Sequence, residues 1–123
     1  MSISPLQACL NREHAQALAT AALDNVLGTH HGLSWTDFVL LEHLSQRSAG
    51  MPEAELAKRM GLLRSRLLVR TRPLEKLGWL SRGGGGPRLI ALRLSGERLL
   101  AQARETAAAV CASLEPVEIQ RLS

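Results

Sequence analysis

Eleven side chains of one chemistry crowd a single stretch of this sequence: Lys58, Arg59, Arg64, Arg66, Arg70, Arg72, Lys76, Arg82, Arg88, Arg93 and Arg98. Only Glu75 and Glu97 oppose them. That leaves residues 58–98 at a formal +9 and the rest of the chain, with four cations and nine acids, at −5. Cations at this density attract a polyanion, and so polarised a chain carries the electrostatic footprint of nucleic-acid binding. A charge run alone equally describes a solvated basic face. The elements that hold these cations separate the two readings.

Other reactive residue types are sparse. The histidines are His14, His30, His31 and His43, with Glu13, Asp24, Asp37 and Glu42 the carboxylates near them in sequence. Adjacent loop side chains such as His30 and His31 rarely chelate one ion together, so no metal is predicted. Cys9 and Cys111 are too far apart for a framework or a ligand pair; they fit a reducing cytoplasm and read as packing residues. No nucleophile, base and orienting group cluster, so neither an enzyme nor a cofactor is predicted. Trp35, Phe38 and Trp79 are the only aromatics, which argues against single-strand binding by stacking. The glycine run from Gly83 to Gly86 lacks the Lys-Ser/Thr of a phosphate cradle and reads as a turn. No signal layout and no membrane-length apolar run is present, which predicts a soluble, cytoplasmic protein without a membrane partner.

With 123 residues, 46% of them apolar, the chain is long enough for one domain with its own core. Ser4 and Pro5 open a long helix over residues 5–27, broken at Gly28-Thr29-His30-His31-Gly32. Ser34-Trp35-Thr36-Asp37 resembles a capping box before a second helix with Phe38, Leu41 and Leu44 on one face. Met51-Pro52-Glu53 opens a third helix that ends near Gly61. A fourth spans about Leu63 to Leu77, with Leu63, Leu67, Thr71 (or Arg70) and Leu74 inward and a kink predicted at Pro73. Trp79–Arg82 and Arg88–Leu94 read as the strands of a hairpin. Ser95 caps a last helix, whose Leu100, Ala103, Ala107, Val110 and Leu114 form a coiled-coil-type seam that Pro116 interrupts.

The order of elements is that of a winged helix-turn-helix flanked by helical arms. Leu33-Ser34-Trp35-Thr36-Asp37-Phe38, Glu55-Leu56-Ala57-Lys58-Arg59-Met60-Gly61, Arg64-Ser65, Leu74-Glu75-Lys76-Leu77-Gly78-Trp79-Leu80 and Leu92-Arg93-Leu94-Ser95 resemble, in order, motifs of the MarR family of bacterial transcription regulators. The usual Asp-x-Arg of the family's wing is Gly86-Pro87-Arg88 here, which keeps the Arg and loses the Asp. The resemblance implies a mainly α fold with a small β-hairpin. It implies one domain over residues 1–123, with dimerisation arms at 1–32 and 96–123 around a winged helix-turn-helix at 33–95. It further implies a homodimer on a pseudo-palindromic double-stranded operator, and an effector pocket for a small anion or phenolic compound.

With Leu63, Leu67 and Leu74 inward, Arg64, Ser65, Leu68, Val69 and Arg72 face out from the helix that would enter the major groove, with Arg66 beside them. Arg64 suits guanine or phosphate, and Leu68 and Val69 suit thymine methyls. Arg88, helped by Arg82, is the wing candidate for a narrow minor groove. Trp35, Phe38 and His43 are the candidates to line an effector pocket, and core packing explains them equally. Cys9 stands about where the family's hydroperoxide sensors carry a reactive cysteine, but the chain has no Tyr to tune it. The alternative to DNA binding is a winged helix that docks or dimerises without reading DNA, favoured by the apolar Leu68 and Val69 and the missing Asp.

Overall fold

In the computed structural model, which describes residues 2–83 and 88–122 (backbone alone for 115–122), the chain divides into two compact units. One comprises the residues up to Trp35 together with those from Arg104 onward; the other is Thr36–Ala103.

The first unit is built on α1 (Pro5–His31) and the later turns of α5 (Leu94–Leu122). The Ser4 hydroxyl accepts the Gln7 N–H at 3.1 Å, and Pro5 takes the first turn, where its missing N–H costs nothing. Contrary to the sequence reading, α1 runs through Gly28. One glycine inside a helix costs only about 1 kcal/mol. The residue that turns the chain is Gly32, at φ +68, a left-handed conformation that glycine enters without strain. A ring nitrogen of His31 lies 2.7 Å from the Thr106 hydroxyl and ties the end of α1 to α5. Asp24 accepts the Trp35 N–H at 2.7 Å, so an acid eleven residues upstream serves the first turn of α2 (Trp35–Ser45). The backbone of α5 continues through Pro116, where an interruption was predicted; a proline removes one backbone bond, and the flanking turns carry the helix across it.

The second unit holds most of α2, then α3 (Glu53–Met60), α4 (Arg64–Lys76) and a small sheet. Its core contains Phe38, Leu40, Leu41, Leu44, Leu56, Leu67, Leu74, Leu80, Ile90, Leu100 and Ala103. The sheet has three strands where two were predicted. Met51–Pro52 forms β1 and pairs antiparallel with β3 (Leu89–Leu92), which pairs on its other side with β2 (Leu80–Arg82). Pro52 therefore belongs to a short edge strand, where a proline is tolerated, and α3 begins at Glu53. Leu63 is the N-cap of α4 and is 75% exposed, so it is not part of the inward stripe; its extended backbone (φ −67°, ψ 150°) swings the side chain off the helix. Ser95 also departs from its predicted role. The last helix starts one residue before it, and its hydroxyl donates to the Gly78 carbonyl at 2.6 Å. At Gly96, a Cβ would lie 2.3 Å from the Trp79 carbonyl oxygen, so α5 packs directly on backbone there and only glycine fits.

Candidate nucleic-acid interface

Leu67, Thr71 and Leu74 are buried and fix the inward side of α4. Opposite them, at i, i+4, i+7 and i+11, runs a ridge of exposed residues: Ser65, Val69, Arg72 and Lys76. Arg66 is exposed beside it. Among the described residues, Arg66, Arg72 and Lys76 make no ion pair, so their charge is open to an outside partner. Arg70 leans toward Asp37 at 3.7 Å.

The wing-side flank of α4 is different. Glu53, at the start of α3, is 2% exposed and is shared among arginines. Arg64 donates to its Oε2 at 3.1 Å, Arg82 donates to its Oε1, and an Arg88 nitrogen stands 3.9 Å away. Arg82 also donates to Glu75 and, at 2.5 Å, to the Thr71 hydroxyl, which in turn donates to the Leu68 carbonyl. A carboxylate this buried needs such partners to offset its lost hydration. The guanidinium of Arg82 is thus engaged inside the protein, with 24% of its side chain exposed. Charge counting missed Glu53 because it lies just outside the basic block; its pairing is made by tertiary structure.

Arg88 presents a side chain 67% exposed at the start of β3. Its φ of +34° is unusual for a residue with a Cβ. Its carbonyl accepts the Glu53 N–H at 3.3 Å, which fixes the base of the wing on α3. The predicted tip at Gly84–Gly86, and Pro87 after it, lie outside the described residues.

No family model and no curated protein matches the sequence. Solved structures do match. A MarR family transcriptional regulator from Rhodococcus sp. RHA1 superposes with a TM-score of 0.82 at 20% identity, over 94% of this chain and 85% of that one. The M. tuberculosis transcriptional regulator MosR, in complex with DNA, gives 0.77 at 26% identity, over 88% and 84%. CouR from Rhodococcus jostii RHA1, bound to p-coumaroyl-CoA, gives 0.76 at 22%, over 82% and 73%. The chain has the MarR fold.

Within this MarR fold the remaining predicted residues fall in distinct places. Leu68 is half-buried and lines a cleft of about 520 Å³ on the wing side of α4, with Glu53, Arg72, Glu75, Arg82 and Arg88. A second cleft of about 520 Å³ on the opposite flank is lined by Asp37, Leu62, Arg66, Val69, Arg70 and Pro73. Trp35, Phe38 and His43 line neither. Phe38 is a core residue, and the His43 Nδ1 is buried without a partner among the described residues. Cys9 and Cys111 are both exposed, which corrects their reading as packing residues. Cys9 does have a cation beside it: Arg12, one turn on, donates to its Sγ at 3.1 Å. Among the described residues, no His, Cys, Asp and Glu group could hold a metal ion, and no helix is long and apolar enough to cross a membrane.

Proposed function

We propose that the protein is a homodimeric, non-enzymatic transcriptional regulator of the cytoplasm that binds double-stranded DNA. The observation that carries this reading is the exposed ridge of α4. Its Arg72 and Lys76, together with Arg66, make no ion pair among the described residues and stand exposed on a helix of a winged helix-turn-helix. Such a helix fits the major groove, and Arg88 on the wing extends the same positive surface. Arg64 and Arg82 belong to this surface chiefly through Glu53, which holds wing and helix in register. The MosR structure in complex with DNA supports the reading.

The dimer rests on α1. Leu100, Ala103 and Ala107 of the predicted seam are already buried in a single chain, whereas Leu6 and Leu10, four apart on one face of α1, and Ile3 just before the helix are more than half exposed. A second copy would cover that face, and a two-fold dimer suits paired half-sites. CouR bound to p-coumaroyl-CoA supports a small-ligand input.

The 66% exposure of Val69 and the 75% exposure of Leu63 favour a second reading, a module that docks a protein and does not read DNA. Fluorescence anisotropy with random duplex at about 50 mM salt, a concentration at which phosphate contacts remain strong, separates the two. Salt-sensitive binding supports the regulator, and no binding supports the docking module.

A further inference from the structure

The ridge of α4 changes character along its length. Its first half carries the short side chains Ser65 and Val69, and its second half carries the long cations Arg72 and Lys76. Short side chains let a helix approach base edges closely, while long cations reach phosphates as well as guanine edges. Arg64, the long donor on the wing-side flank of the first turn, is drawn to the buried Glu53 carboxylate. On the ridge itself, base contact from this half falls to Ser65 and Val69, with the open Arg66 beside them.

Val69 is branched, apolar and 66% exposed, and Arg66 and Arg72, three residues to either side, flank it on the helix surface, while Arg70 beside it is drawn to Asp37. Two open cations around an apolar tip suit a polyanion that displays a methyl group. The major groove of DNA displays one such group, the C5 methyl of thymine. We propose, on the basis of the DNA-binding reading above, that Val69 is a specificity-determining residue that packs on a thymine methyl in each half-site. Ser65, one turn earlier, bonds either donors or acceptors and so discriminates less. The preferred operator then carries a thymine at a fixed place in each half-site, and its recognition depends on the methyl, not on the base pair's hydrogen bonds.

Replacing thymidine by deoxyuridine removes the methyl and preserves pairing. The experiment takes a duplex enriched by the full-length protein from a random pool, synthesised once with thymidine and once with deoxyuridine throughout. Both are titrated with the parent and with Val69→Ala. The parent should bind the deoxyuridine duplex roughly fourfold more weakly for each contacted methyl, from ~0.8 kcal/mol per methyl-sized group, and thus about fifteenfold for two half-sites. Val69→Ala should bind both duplexes alike, near the parent's affinity for the deoxyuridine form. Equal affinity of the parent for the two duplexes overturns the proposal, as does a Val69→Ala variant that keeps the parent's ratio. If the parent enriches no duplex at all, the DNA-binding reading fails and this inference fails with it.

Discussion

Arg82 on β2 donates to the buried carboxylate of Glu53, 29 residues earlier and on a different element. The same guanidinium reaches Glu75 and Thr71 on α4. One side chain thereby joins the start of α3, the inner flank of α4 and the base of the wing.

Removing Arg82 leaves the buried Glu53 carboxylate with Arg64 as its near donor, and removing Glu53 leaves Arg82 with Glu75 and Thr71. Glu53→Ala and Arg82→Ala should each lower stability by about 1.5–3 kcal/mol, the range of a hydrogen bond to a charged group. The double variant should be destabilised by less than the sum, because the two act on one interaction. Urea denaturation of the four proteins measures this, and strict additivity would contradict the coupling.

Duplex binding should weaken steeply with salt. With roughly 4–8 phosphate contacts per dimer, log K against log[salt] should fall with a slope of about −4 to −7. Arg72→Ala and Arg88→Ala should flatten it by about one unit for each phosphate left without its cation, and should weaken operator and random duplex to a similar degree. Arg64→Ala should flatten it less, because Glu53 already claims that guanidinium. Titrations at several salt concentrations test all three.

Leu6→Glu and Leu10→Glu place charge on the free face of α1, at positions 70% and 52% exposed in one chain. Helical content should persist while light scattering shifts from dimer to monomer. Ala107→Glu should instead unfold the protein, since that position is 5% exposed within the chain. A Leu6→Glu dimer as tight as the parent's would remove α1 from the interface.

The carboxyl of Glu55 is held below its ordinary value of 4.5, first by the hydrogen bond from Arg47 and then by the charges of Arg47 and Arg59. A lowered folded-state value means stability that is present above the unfolded value and lost as pH falls through the folded one. Relative to Glu55→Gln, the parent should melt slightly higher near neutral pH, and the gap should close as pH drops below the ordinary glutamate range. Added salt should shrink it at all pH values, because the pair faces solvent.

The helices and the outward side of α4 are legible in the sequence because they follow period. Leu67 and Leu74 mark one side of a helix, and Ser65, Val69 and Arg72 then fall on the other. Arg82 misleads for the opposite reason: a wing cation reads as free until the acid it meets is known, and Glu53 meets it only in three dimensions. The strand at Met51–Pro52 is two residues long and exists through its pairing with Ile90 and Leu89, so no local pattern announces it. Gly28 and Gly32 look alike in sequence; only the turn conformation at Gly32 separates a tolerated glycine from a stop.

The close approach at Gly96 has a mechanical meaning. The first turn of α5 rests on the Trp79 carbonyl with no side chain between them, the Arg93 N–H bonds that same oxygen at 2.9 Å, and the Ser95 hydroxyl grips Gly78. A side chain at position 96 would drive into that carbonyl and part the start of α5 from the strand that leads into the wing.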